Sequence, residues 1–199
     1  HPELHGRSAR WYWERIMPLH LRSATTVIAI SQNVREDLVN YYGTAREKIH
    51  VIYCAPQSLF DAPVDPMAVK SLQRELGLPQ TYLLFVGMLA RKKNLATLIS
   101  AVALLKDRGI EAPLVIVGRR YSQSDDTAVL DLVKRRGLDA LVRYLGPVSQ
   151  DDLRGLYAGA RMLVYPSLHE GFGLPCVEAM KCGVPVVAAR SGAIPQIVG

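Results

Sequence analysis

Three times after residue 81, a short apolar run drives straight into a glycine and is followed by a segment of helical spacing. Tyr82-Leu83-Leu84-Phe85-Val86 ends at Gly87, Leu114-Val115-Ile116-Val117 at Gly118, and Val142 to Leu145 at Gly146. Runs that are apolar at consecutive positions leave no face for water, so each predicts a strand covered on both sides. Between them the period changes. Leu95, Leu98, Ile99, Val102 and Leu105 recur at i, i+3, i+4, i+7 and i+10 before Gly109, and Val129, Leu132 and Val133 sit in a segment that stops near Gly137. Ser149-Gln150-Asp151-Asp152 opens a further helix with an N-cap signature. Met162 to Tyr165 and Val184 to Ala188 read as strands, and Leu174 to Lys181 as a helix with Pro175 in its first turn. Strands alternating with helices predict an α/β chain: a Rossmann-like parallel sheet with helices on both faces. Ligands of such sheets approach the carboxyl edge of the strands, where a glycine leaves room for them.

The first 55 residues make a different unit. Thr26 to Ile30 and Ile49 to Ile52 predict strands flanking a helix from about Gln32 to Tyr42, behind a helical lead-in. One βαβ unit is too small to bury a core alone. Ala55 to Asp65 holds Pro56 and Pro63 and no apolar period, so it reads as a linker. The expected division is 1–55, a remnant of a preceding domain; 56–80, linker and lead-in helix; and 81–199, a ligand-binding domain. Ile194 to Gly199 starts one more helix with nothing evident to pack on, and the expectation is a segment of a longer protein.

Composition narrows the class of ligand. With 24 Lys and Arg against 18 Asp and Glu, the net charge of +6 favours anionic ligands such as phosphates, nucleic acid or acidic lipid. No run of about 18 apolar residues occurs, and His1 to Arg10 lack the apolar core of a signal peptide. Cys54, Cys176 and Cys182 are at no zinc-ligand spacing and are expected to be buried, reduced thiols of a cytoplasmic protein.

Two constellations carry chemistry. In Gly87-Met88-Leu89-Ala90-Arg91-Lys92-Lys93-Asn94, three cations stand between a strand end and a helix start. A helix N-terminus already offers free N–H groups and partial positive charge, so cations there cost stability that an anionic ligand would offset. A solvated surface cluster is the alternative. The spacing is that of neither a Walker loop nor a dinucleotide fingerprint. In His169-Glu170-Gly171-Phe172-Gly173-Leu174-Pro175-Cys176-Val177-Glu178, two carboxylates flank a glycine-rich turn and the first turn of a helix. A glycosidase pair would face each other across a sugar without a neighbouring anion site. Carboxylates beside a cationic cradle suit another task, accepting hydrogen bonds from sugar hydroxyls while the cations hold a diphosphate. The plainer alternative makes Glu170 a loop cap and Glu178 an ordinary helix residue.

From about residue 20 onward the chain resembles the retaining glycosyltransferases of family 4, which have the GT-B fold. PSLHEGFGLPCVEAMKCGVPVVAA, beginning at Pro166, is similar to that family's E-x7-E signature and trailing G-x-P-V-V strand. VGMLARKKNLATLISA resembles its phosphate-binding turn, and Thr26 to Ser31 with KIHVIY resemble the strands closing its N-terminal domain. The resemblance implies that Glu178 binds the ribose hydroxyls of a nucleotide-sugar donor. It implies that Glu170, the one residue assigned to the catalytic centre, holds donor hexose hydroxyls. His169, Gly171 and backbone N–H groups at Phe172, Gly173 and Leu174 would assist. Lys93 and Lys92, with Arg91 and Gly87, would clamp the diphosphate, and Gly118 and the backbone at Val148 would border the base. Neither metal nor separate cofactor is expected, because fixed cations stabilise the charge on a leaving diphosphate. The reaction implied is retaining transfer from a GDP-mannose-like or UDP-hexose donor to a glycan or lipid-linked acceptor. The alternative is a nucleotide-sugar-binding module without transfer; a sugar-nucleotide epimerase fits the E-x7-E block poorly. GMLARKKN is most like mannosyl- or other hexosyltransferases of bacterial surface-glycan assembly.

The sequence also departs from that pattern. Met88 stands where many members have Arg, and Tyr53-Cys54-Ala55-Pro56 replaces Asn-Gly-Val. A catalytic His-Asp pair would fall upstream of His1, and neither His1, His5 nor His20 takes that role. In the lead-in from Arg7 to Arg22, Trp11, Trp13, Ile16, Met17 and Leu19 interleave with Arg10 and Arg15. Packing on a further domain is the leading reading, and peripheral docking on the inner face of a membrane is the second. Nucleic acid is not an expected partner.

Overall fold

A computed structural model describes residues 10–120 and 123–199. A π-helical turn (Tyr12–Ile16) runs into α1 (Met17–Ser23), followed by β1 (Val27–Ala29), α2 (Gln32–Tyr42) and β2 (Ile49–Val51). β1 and β2 pair in parallel as a two-stranded sheet. The Ser31 hydroxyl caps α2 by accepting from the Val34 N–H, and Gly43 ends it in the left-handed region.

The larger unit contains α3 (Pro66–Glu75), β3 (Leu83–Val86), α4 (Leu95–Asp107), β4 (Leu114–Val117), α5 (Gln123–Arg135) and β5 (Val142–Gly146). It continues with α6 (Gln150–Gly159), β6 (Met162–Tyr165), α7 (Leu174–Lys181), β7 (Val186–Ala188) and α8 (Ile194–Val198). The sheet is parallel throughout, in the order β5-β4-β3-β6-β7. The chain therefore starts in the middle, builds outward through β4 and β5, then returns to the other side of β3. Side chains alternate between two cores. Leu84, Val86, Val115 and Val117 join Leu156, Tyr157, Cys176 and Ala179 on one face. Phe85, Leu114 and Ile116 join Leu95, Leu98, Ile99, Val102 and Val133 on the other. All four β4 side chains are buried, each worth about 1.5–3 kcal/mol relative to exposure.

Several expectations need correction. The strand expected from Val184 begins at Val186, because the Val184 N–H closes the preceding helix on the Ala179 carbonyl. The segment 55–65, expected as a linker because it has no apolar period, makes a 3-10 turn (Ser58–Asp61), and its Phe60 is buried edge-on against Tyr157, a contact that no period announces. The terminal helix does find a partner: Ile194 is buried in the first core, against Gly173. That partner lies 21 residues back, beyond the reach of any local pattern. Of the three free thiols only Cys176 is buried; Cys54 and Cys182 are half-buried. In the lead-in, Arg7 lies outside the described residues. Trp11, Trp13 and Leu19 are exposed there, while Leu21 is buried. Among the described residues, no helix is long and apolar enough to cross a membrane.

Candidate active site

The order of the sheet creates one crevice. β3 and β6 are neighbours whose onward connections lead to opposite sides, the switch point at which open α/β sheets form a crevice at their carboxyl edge. Both sequence constellations emerge there: the cationic turn follows β3, and the glycine-rich turn follows β6.

Glycine is required at that edge. Gly118 has φ 143°, and a Cβ built on it would lie 1.9 Å from the Gly87 carbonyl oxygen. The Gly87 N–H bonds to the Val117 carbonyl and the Gly118 N–H to the Gly146 carbonyl, both at 2.9 Å. The stem of Lys93 then crosses Gly87, its Cε only 3.4 Å from where a Cβ would stand.

Lys93 ends a 3-10 turn (Arg91–Lys93), and Asn94, left-handed at φ 56°, turns the chain into α4. The two loops are pinned together. Asn94 Nδ2 donates to the Pro166 carbonyl at 3.2 Å, and the Leu168 N–H to the Lys92 carbonyl at 2.8 Å. Lys93 is buried, and its Nζ donates to Glu170 Oε1 and to the Tyr165 hydroxyl, each at 2.6 Å. The Tyr165 hydroxyl donates in turn to Glu170 Oε1 at 3.0 Å. Tyr165 is buried and stacks on Phe85, and the Lys93 ammonium lies 4.9 Å from its ring centre. The anion that offsets Lys93 here is thus Glu170, where the sequence had suggested a ligand.

The two carboxylates are tuned in opposite directions. Burial pushes Glu170 up, but the Lys93 charge and the hydrogen bonds from Lys93 and Tyr165 outweigh it and hold its pKa below the ordinary value. Burial raises Glu178, and the bond from the Tyr157 hydroxyl to its Oε2, at 2.8 Å, only partly opposes this. Cys176 lies between them and feels both; burial first, then the Glu170 charge, push its thiol up to about 12.

α7 starts at Gly173, which is left-handed at φ 101° and has Ile194 Cδ1 2.6 Å from its virtual Cβ. Pro175, which has no N–H, stands in the first turn of α7, and the Cys176 N–H is bonded to the Gly173 carbonyl at 2.9 Å. The turn before it is gripped by the N-terminal unit. Gly171 faces Ile30 and Val34, Phe172 packs 6.2 Å from the Tyr53 ring, and Gln196 Nε2 donates to the Tyr53 hydroxyl at 2.6 Å. His169 approaches Asp37 of α2 at 3.8 Å.

The structure therefore brings Gly87, Lys93, Glu170, Gly171, Phe172, Gly173 and Leu174 to one place, with Gly118 beside them. Arg91 is exposed and Lys92 half-buried on the same cationic turn. Val148 packs its side chain into the first core. His169 faces α2, and Glu178 is one turn deeper, tied to α6. The sequence reading missed Tyr165 and Tyr157. Each is an aromatic inside an apolar segment, and the available signal was that a buried phenol needs a partner for its hydroxyl.

Residues 70–199 match the family profile of glycosyl transferases group 1, and residues 1–55 match that of glycosyltransferase family 4. The chain is 34% identical over 201 residues to O-antigen chain mannosyltransferase B of Escherichia coli, spanning 100% of this chain and 52% of that protein. It is 32% identical to the D-inositol 3-phosphate glycosyltransferase of Corynebacterium kroppenstedtii, over 87% of this chain and 40% of that one. It thus spans about half the length of these relatives or less. Among solved structures, Anabaena Alr3699/HepE in complex with UDP and glucose superimposes with a TM-score of 0.83 at 27% identity, covering 98% of this chain and 52% of that one. Sucrose-phosphate synthase from Thermosynechococcus elongatus gives 0.80 at 27%, over 98% and 48%. With its doubly wound sheet shared with GT-B enzymes, the chain belongs to the group 1 glycosyl transferases.

Proposed function

We propose that the crevice between β3 and β6 binds a nucleoside-diphosphate hexose, and that the protein transfers the hexose, with retention, to a hydroxyl of a glycan or lipid-linked acceptor. The observation that carries this is the Lys93–Glu170 pair at the sheet's carboxyl edge, 2.6 Å apart and flanked by the glycine turn that starts α7. A diphosphate needs fixed positive charge and N–H donors, which Lys93, Lys92, Arg91 and the start of α7 supply. A hexose needs acceptors for its hydroxyls, and Glu170 is held ionised for that purpose. Glu178 takes the ribose, Gly87 stands with the diphosphate clamp, and Gly118 and the Val148 backbone border the base. His169 braces the glycine turn from the α2 side. In this scheme no metal or separate cofactor is used, the nucleotide-sugar being a substrate. A structural neighbour at 27% identity holds UDP-glucose, and a relative at 34% is named a mannosyltransferase. These support a UDP-hexose or GDP-mannose donor.

Residues 81–199 are then the donor unit, 56–80 the connection, and 1–55 part of the acceptor side. The exposed Trp11, Leu19 and nearby Arg15 and Arg22 suit work on the cytoplasmic face of a membrane. Titration calorimetry of the full-length protein against UDP-glucose, UDP-N-acetylglucosamine and GDP-mannose, followed by NMR of the anomeric product, tests this reading. Binding of one donor and retention at the anomeric carbon are expected. Failure to bind any of the three refutes it.

A further inference from the structure

We propose that Tyr165 and Tyr157 are positioning residues for the two carboxylates, each fixing one carboxylate oxygen and leaving the other to a sugar hydroxyl. This rests on the nucleotide-sugar reading above. Both tyrosines are buried and come from scaffold elements, Tyr165 from the last position of β6 and Tyr157 from α6. Neither reaches the crevice surface, so each acts through its partner.

At Glu170, the bonds from Lys93 and Tyr165 converge on Oε1. At Glu178, the Tyr157 bond goes to Oε2. A hydroxyl has one proton and two lone pairs, so Tyr165 can accept from Lys93 while donating to Glu170, which closes the triangle. A carboxylate held through one oxygen loses rotation about its terminal bond. Its second oxygen then meets an incoming hydroxyl already oriented, and binding does not have to order it. Stacking on Phe85 fixes the Tyr165 ring, and edge-on contact with Phe60 fixes Tyr157. The phenol is also a better neighbour than a second charged group. Burial and the adjacent carboxylates keep both hydroxyls protonated, so they remain donors.

The test uses Tyr165→Phe and Tyr157→Phe in the full-length protein, which keep the rings and remove only the hydroxyls. The probes are UDP, UDP-glucose, GDP and GDP-mannose. For Tyr165→Phe the expected result is about tenfold weaker binding of the nucleotide-sugar the wild type prefers, with the matching free diphosphate changed less than about twofold. For Tyr157→Phe, acting through the ribose-side carboxylate, both ligands should weaken by about tenfold. A double variant, Tyr165→Phe with Glu170→Gln, should bind the nucleotide-sugar no more weakly than Glu170→Gln alone, because the tyrosine works through that carboxylate. A purely structural Tyr165 would instead lower both ligands together and add its loss to that of Glu170→Gln. For Tyr157, whose partner is Glu178, the double variant with Glu178→Gln should bind both ligands no more weakly than Glu178→Gln alone, and additive losses there overturn its role. Wild-type affinities in Tyr165→Phe, equal losses of both ligands, or additivity in the double variant overturns the proposal. If the wild type binds none of the four probes, the nucleotide-sugar reading falls and takes this proposal with it.

Discussion

Replacing Lys93 with methionine removes one charge but keeps most of the stem that crosses Gly87. The ammonium is within 2.6 Å of Glu170 Oε1, and the two side chains are 10% and 11% exposed. Breaking a buried pair by deleting one partner leaves the other charged and unmatched, which costs about 3–5 kcal/mol. Tyr165 still donates to the carboxylate, so the lower end, about 3 kcal/mol, is expected at pH 7. Adding Glu170→Gln should restore more than half of this, since no buried charge then remains. The pH dependence fixes the cause. In the wild type the Glu170 pKa lies below its ordinary value, so its stabilising contribution is complete above that value and disappears as pH falls through the depressed one. In Lys93→Met the largest opposing influence is gone and burial governs, so the carboxyl is raised and protonates earlier. Protonation relieves the unmatched charge, and the deficit relative to wild type should shrink steadily from pH 7 towards about pH 4.5. Urea unfolding followed by circular dichroism across this range measures it. A deficit below about 0.5 kcal/mol, or one of constant size at every pH, would refute the claim that Lys93 chiefly neutralises a buried carboxylate.

Other consequences are equally open to measurement. Glu178→Ala should weaken both free nucleoside diphosphate and nucleotide-sugar by about 1–3 kcal/mol, while Glu170→Ala should weaken only the nucleotide-sugar and slow transfer; paired calorimetric titrations distinguish them. Gly118→Ala should cost about 3 kcal/mol or more in a urea melt, combining left-handed strain with an overlap on the Gly87 carbonyl that no rotamer relieves. Ile194→Ala should cost about 2–5 kcal/mol by the same melt, because Ile194 is wholly buried beside Gly173; a change within about 0.5 kcal/mol would mean α8 is not part of the core.

What could be read from the sequence divides along the range of the interactions. β4, β6, α2 and α7 have the predicted limits, because an unbroken apolar run or a capped helical period is a property of consecutive residues. The carboxyl-edge location of Gly87, Gly118 and Gly146 was legible for the same reason. Strand order was not legible: nothing in Met162 to Tyr165 says that it pairs with β3. The Lys93–Glu170 pair spans 77 positions and follows only once that order is known. The same holds for Tyr165, for the Ile194 contact with Gly173, and for Ile30 and Val34 covering Gly171. His169 was grouped with its neighbours in the chain, yet its side chain belongs to the contact with α2.

The centre-outward strand order has a consequence for synthesis. A chain made from its N-terminus produces the middle strand first, and β4 and β5 each find a neighbour already in place. β3 meanwhile keeps an unpaired apolar edge until β6 has been made and has returned to it, a non-local closure of the slow kind. A nascent chain released between β5 and β6 would hold half a sheet and an open edge, with Lys93 lacking its counter-ion. The crevice comes into being at the step that seals this edge. Occupancy by ligand would therefore select molecules whose assembly has finished, and interrupted chains would be exposed to proteases and to pairing with one another.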